Sequence, residues 1–170
     1  GQAQELNSLL LANNIRPVYL KGTGNLLAGL YEDIAERMVG DIDFIFSKED
    51  YPKAISILRE FGYSSLEKKE YYSTEEHRHY PRLIKTNKIG AVEIHSKFLN
   101  SKYDNEFNYS FVKKDIQIIN GYAVLSYANK INLSIVASQI NDQGFYYNTI
   151  ALRNAYDVFL LSKKTNAKKA

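Results

Sequence analysis

Cysteine is missing from all 170 residues. That excludes disulfides and thiolate zinc sites, so any metal must be held by oxygen or by one of the 3 histidines. Oxygen ligands tilt the expectation toward magnesium or manganese. Proline is scarce, with 3 residues, and tryptophan absent. No apolar run approaches the roughly 18 residues needed to span a bilayer, and no basic-then-apolar leader opens the chain, so a cytoplasmic location is the default expectation. The chain opens with Gly1 rather than methionine, which suggests a processed chain or a piece of a longer protein. Against these absences stand 45% hydrophobic and 24% charged residues, the composition of an ordinary globular protein. The net charge of +3 is weak and concentrated in the terminal "SKKTNAKKA", which reads as a solvated tail rather than a nucleic-acid footprint.

Periodicity places a helix over "QELNSLLLAN" and a short strand over "IRPVYL", where Pro17 forbids helix. "KGTGN" then makes a glycine-rich turn, followed by a second helix over "NLLAGLYEDIAE". "DIDFIFS" alternates as a strand. "SKEDYPKAISILREFGY" reads as a helix opened by a capping box from Ser47 to Asp50 and closed at Gly62. Two hairpins are expected, one around "TNKIG" and one around Asn120-Gly121. From there "YANKINLSIVASQI" and "NTIALRNAYDVFLLSKK" read as helices. The fold class is therefore α+β (mixed α/β), with residues 1–122 as a core domain and 123–170 as a helical C-terminal part packed on it.

The chemistry concentrates in "RMVGDIDFIF". Alternate strand residues share a face, so Asp41 and Asp43 project together with α-carbons about 6.5–7 Å apart, while Ile42 and Phe44 point into the core. Two half-buried carboxylates side by side repel each other unless a cation or strong donors compensate. "AVEIHSK" repeats the pattern: Glu93 and His95 face away from Val92 and Ile94. If its strand neighbours the first, three carboxylates converge and form a seat for two magnesium ions about 3.5–4 Å apart, as phosphoryl or nucleotidyl transfer requires. The plainer alternative is a turn cap for Asp41, a lysine pair for Asp43 and a cross-strand salt bridge for Glu93.

The turn in "YLKGTGN" offers backbone N–H groups to an anion at a helix start, and Thr23 adds a hydroxyl; it is neither a Walker P-loop nor a Rossmann turn. Its alternative is an ordinary turn at Gly22 and Gly24. Lys21 is either a surface lysine or a phosphate contact. Arg37 reaches phosphate or pairs with Asp33 or Glu36. His77 suits a surface or packing role, and His95 either orients Glu93 or bonds within the fold. The tyrosine clusters "EYYS" and "GFYYN" either stack on bases or fill a core edge, and Arg153 with Asp157 forms an i, i+4 pair.

Taken in order, Lys21-Gly22, Arg37, Asp41-Ile42-Asp43, Gly62-Tyr63, His79-Tyr80-Pro81 and Glu93-Ile94-His95 resemble the nucleotidyltransferase superfamily of DNA polymerase beta type. The set is most similar to its bacterial branch of uncharacterised nucleotidyltransferases; the likeness covers roughly residues 4 to 100, with "LRNAYDVFLL" similar to a later family helix. Departures are Gly22-Thr23 where the superfamily commonly has Gly-Gly or Gly-Ser, and Ser96 where the branch often has an aromatic residue. The resemblance implies a small mixed sheet flanked by helices, metal bound by Asp41, Asp43 and Glu93, and Glu93 accepting the acceptor's proton. It further implies a nucleoside triphosphate held by Gly22 and Thr23, with Lys21 and Arg37 as phosphate contacts. The implied acceptor is a small molecule, a protein or an RNA end. A catalytically silent member that binds a nucleotide or a partner is the alternative.

Overall fold

The strand over "DIDFI" is the centre of a sheet because it offers both faces something to bury. In the structure, a computed structural model that describes residues 1–65 and 77–166, this strand is β2 (Asp41–Ile45). The first helix, α1 (Gln2–Ala12), leads into β1 (Val18–Tyr19), which pairs antiparallel to β2. On the other side β2 pairs in parallel with β5 (Ala91–His95). Two short strands, β3 (Ser64–Ser65) and β4 (Leu83–Ile84), extend that flank. The hairpin of β6 (Gln117–Ile119) and β7 (Tyr122–Val124) joins β1 in parallel through β7. Among the described residues these form one mixed sheet in the order β3-β4-β5-β2-β1-β7-β6.

Side-chain alternation divides the core in two. Tyr19, Ile42, Phe44, Phe46, Val92 and Ile94 face a cluster with Leu6 and Leu10 of α1 and Ala54 and Leu58 of α3 (Tyr51–Glu60). Val18, Leu20, Ile45, Ala123 and Leu125 face the opposite cluster with Phe98, Phe107, Val112 of α4 (Tyr109–Val112) and Leu133 of α5 (Tyr127–Val136). Asp41 and Asp43 share this second face with Ile45. No helix among the described residues is long and apolar enough to cross a membrane.

Both expected hairpins are present. Asn120 and Gly121 adopt φ of 51° and 82°, the left-handed pair that a two-residue turn of matching twist demands. β4 and β5 pair antiparallel with Leu83 opposite Val92.

Helix boundaries depart from the periodicity in instructive ways. The glycine segment is not a turn ahead of a helix; it is the helix, α2 (Lys21–Leu27). A β-carbon on Gly24 would lie 2.6 Å from the Tyr19 carbonyl oxygen, so the missing side chain lets α2 lie against the end of β1. The expected long helix over "NLLAGLYEDIAE" stops at Leu27, because Gly29 turns left-handed with φ 67° and Leu30 is drawn into a third cluster with Ile131 and Leu161. The rest of that segment holds a 3-10 turn, Ile34–Glu36. Ser47 Oγ does accept from the Asp50 N–H, at 3.1 Å, but this closes a turn, and α3 starts at Tyr51 with Pro52 in its first turn. After α5 come a π-turn over Ala137–Asn141 and the short α6 (Gly144–Tyr147). The last helix, α7, runs Leu152–Ser162 rather than from Asn148, whose left-handed φ of 53° closes α6. Sheet residues continue to Val124, and the helical part follows Ser126.

Candidate active site

Strand register assembles the site. Asp43 stands directly beside Glu93 across the parallel β2–β5 pair, and Asp41 beside Ala91, so all three carboxylates lie on one face, as the spacing of the two acids predicted. Asp43 is the deepest, with 8% of its side chain exposed against 15% for Glu93 and 25% for Asp41.

Buried anions need partners, and each has one. Lys21, at the start of α2, takes a left-handed backbone with φ 49°, a conformation that costs a non-glycine residue about 1–2 kcal/mol. In that conformation its Nζ lies 2.5 Å from Asp43 Oδ1 and 3.6 Å from Glu93 Oε2. Arg82, which the sequence reading passed over, pairs with Asp41 through Nη2 and lies 3.6 Å from Glu93 Oε1 through Nε. His95, almost wholly buried, places Nε2 at 2.8 Å from Asp43 Oδ1 and 3.6 Å from Glu93 Oε2. Only the Asp43 contact has hydrogen-bond length, so of the two expected roles, orienting Glu93 or bonding within the fold, His95 takes the second, with Asp43 as its partner. An imidazole N–H is required at Nε2 to donate to the carboxylate, and Nδ1 is buried without a hydrogen-bond partner. His95 and then the Lys21 charge hold the Glu93 carboxyl well below the usual carboxylate range, against the desolvation that pushes it up. Glu93 is thus an ionised group kept ready for cations.

The donor chemistry fits a hard divalent ion. Oxygens of Asp43 and Glu93 and a ring nitrogen of His95 all lie within 4.8 Å of one another; with the His95 N–H given to Asp43, the carboxylate oxygens are the ligands on offer. Asp41 stands outside that closest group, two residues toward the start of β2.

The other expected contacts resolve differently. Thr23 is buried and its Oγ1 donates to the Asp41 carbonyl oxygen at 2.9 Å; the hydroxyl ties α2 to β2. Arg37, 9% exposed, pairs with neither Asp33 nor Glu36. Its Nε lies 3.2 Å from Asp157 on α7, its Nη2 donates to the same carboxylate, and Nη1 donates to the Met38 carbonyl. A β-carbon on Gly22 would meet this guanidinium at 3.0 Å. Arg37 therefore clamps α7, α2 and the loop before β2 together. Asp157 is correspondingly not the i, i+4 partner of Arg153, which is exposed; it accepts instead from Arg37 and from the Tyr31 hydroxyl, at 2.6 Å. Phe145, Tyr146 and Tyr147 of "GFYYN" are 82%, 77% and 63% exposed and fill no core edge. "EYYS" lies outside the described residues. His79 is half-buried beside His95, with ring centroids 5.4 Å apart. A cleft of about 1010 Å³, lined by Tyr51, Tyr80, Ser96, Lys97 and Tyr109 among others, opens beyond the C-terminal ends of β2 and β5; none of the three carboxylates lines it.

Behind α2, Lys130 of α5 is buried and its Nζ donates to the Gly24 carbonyl at 3.2 Å. Desolvation lowers its pKa from the ordinary 10.5 to about 8. The unfolded chain keeps that proton up to about 10.5 and the folded chain only to about 8, so stability rises with pH across this window. Lys130→Met is expected to stabilise the protein at pH 7 by about 1–3 kcal/mol and to flatten the rise between pH 8 and 10. Urea denaturation at several pH values checks both; a destabilised variant with the rise intact would remove Lys130 as its source.

With this geometry in hand, comparison with known proteins places the chain. The crystal structure of ANT(2")-Ia in complex with adenylyl-2"-tobramycin superposes with a TM-score of 0.63 at 12% identity, covering 99% of this chain and 90% of that one. A solution structure of the antibiotic-resistance factor ANT(2'')-Ia gives 0.62 at 12% identity, over 98% and 84%. At such identity the likeness is one of fold. No curated protein matches the chain in sequence. The family described as uncharacterised nucleotidyltransferase matches residues 1–169, so the chain belongs to that family and is a transferase enzyme of the nucleotidyltransferase superfamily.

Proposed function

We propose that this transferase moves a nucleoside monophosphate from a triphosphate to a hydroxyl acceptor in a magnesium- or manganese-dependent reaction, with Asp41, Asp43 and Glu93 as the metal-binding carboxylates. The observation that carries this reading is the register that sets Asp43 against Glu93, with Asp41 on the same face. The acceptor hydroxyl gives up its proton, to Glu93 in the role the family likeness implies, its oxygen bonds to the α-phosphorus, the bond from that phosphorus to the bridging oxygen breaks, and pyrophosphate leaves. Bound divalent cations would supply neutralisation of the triphosphate charge and activation of the attacking hydroxyl. The protein's part is to orient the carboxylates: His95 fixes Asp43, and Thr23 fixes the backbone at Asp41. Lys21, with about a third of its side chain exposed, has its charge where phosphate oxygens would meet the acids, and the main-chain N–H groups of Gly22 and Thr23 adjoin it. Arg37 supports the reading as a positioning residue, since Asp157 already occupies its guanidinium. The depressed proton affinity of Glu93 suits cation binding. A small molecule, a protein or an RNA end each provides a suitable hydroxyl.

Thermal melting with magnesium and each nucleoside triphosphate tests the reading. Stabilisation is expected only when both are present, about 2.7 kcal/mol at a hundredfold excess over Kd. Labelled triphosphate should then pass its nucleotide to an acceptor with release of pyrophosphate. Joint stabilisation without turnover over a broad acceptor set would indicate a silent nucleotide binder, and no joint stabilisation would refute the reading.

A further inference from the structure

Four charged groups form a lateral row across the sheet. Leu83 opposes Val92 in the antiparallel β4–β5 pair, which brings Arg82 beside Glu93; Glu93 stands beside Asp43; and the Leu20 N–H bonds the Asp43 carbonyl at 2.9 Å, which brings Lys21 to the far side. The order is cation, anion, anion, cation. Asp41 adds a third carboxylate, held by the outer cation, Arg82. Both cations are more exposed than the acids they cover, 53% for Arg82 and 34% for Lys21.

We infer that Arg82 is an exchangeable counter-ion: it neutralises Asp41 and Glu93 until divalent metal arrives, then turns its guanidinium to the phosphates of the nucleotide, so that metal and nucleotide enter together. This rests on the metal-dependent reading above. The charges supply the reason. Three carboxylates with Lys21 and Arg82 carry a formal charge of −1. Two divalent ions alone would bring the cluster to about +3, and a triphosphate of about four negative charges restores it. Metal without nucleotide must therefore strand the displaced arginine and meet uncompensated positive charge; with nucleotide, the phosphates take up the arginine and offset the charge. Arginine suits the exchange because its planar fork matches a carboxylate pair and a phosphate equally well. A purely structural salt bridge would gain nothing from lying at the mouth of the acidic row, where solvent weakens it.

The test is manganese binding to the whole chain, followed by the manganese EPR signal, with and without a nonhydrolysable triphosphate analogue. Wild-type protein should bind manganese weakly alone and much more tightly with the analogue. Arg82→Gln should bind manganese alone about five- to tenfold more tightly and lose most of the gain from the analogue, and Arg82→Lys should fall between. Lys53→Gln, which removes an equal charge from an exposed pair with Asp50, should match wild type. Unchanged manganese affinity in Arg82→Gln, or equal tightening in Lys53→Gln, overturns the exchange. Failure of wild-type protein to bind manganese even with the analogue would sink the metal-dependent reading itself.

Discussion

Asp43→Asn is expected to abolish transfer, by at least about a thousandfold, while the protein stays folded. Asparagine keeps the shape and one oxygen for the His95 N–H at Nε2, so the ring retains its partner. Removing one of two adjacent anions relieves their repulsion, and Lys21 still has Glu93 at 3.6 Å. Loss of the negative charge, however, takes away the most enclosed carboxylate of the proposed metal-binding cluster. The joint stabilisation by magnesium and triphosphate should vanish with activity. The checks are labelled-nucleotide transfer and melting curves with and without the pair of ligands. A variant that transfers at the wild-type rate would remove Asp43 from the mechanism; one that no longer melts cooperatively would make its role structural.

The second large effect is on stability. Asp157→Ala is expected to cost about 3–5 kcal/mol, because it strands the buried Arg37 guanidinium without a counter-charge. The Tyr31 hydroxyl loses its acceptor in the same step. Such a loss is a large share of the 5–15 kcal/mol typical of a whole domain. Breaking the pair by halves is what costs, so an Arg37→Met, Asp157→Leu double variant should recover much of the loss by exchanging two buried charges for apolar packing. Urea denaturation of the single and double variants measures both. If Asp157→Ala costs under about 1 kcal/mol, the pair behaves like an exposed one and does not clamp α7 to the site. The magnesium–triphosphate response of the double variant adds a separate readout: weakened response in a stable protein would show that Arg37 positions α2 and the loop before β2, rather than simply filling space.

These two residues mark where local reading succeeds and fails. Asp41 and Asp43 were legible because the strand period of two is a local property: one isoleucine between two aspartates in an apolar run sets both on one face whatever the rest of the chain does. The same logic found the hairpin at Asn120-Gly121, where two left-handed residues are needed in sequence. Arg37 looked equally ready for Asp33 or Glu36, its near neighbours in the chain. Those two acids instead face the 3-10 turn: Asp33 accepts from the Ala35 N–H, and Glu36 accepts from the Asp33 N–H and the Tyr156 hydroxyl. The true partner lies 120 residues away. Arg82 was missed because its importance depends on the pairing of Leu83 with Val92, and a shift of that register by one residue would have turned it to the other face.

Local spacing settled where neighbouring segments fold back as hairpins and which acidic side chains share a face, because backbone geometry converts spacing into direction without reference to distant contacts. Tertiary structure alone decided which strands lie side by side, that the glycine segment is helix packed on the Tyr19 carbonyl, and which cation answers each carboxylate. Those outcomes depend on the burial of two opposed clusters across one sheet, and burial is a property of the whole chain folded at once.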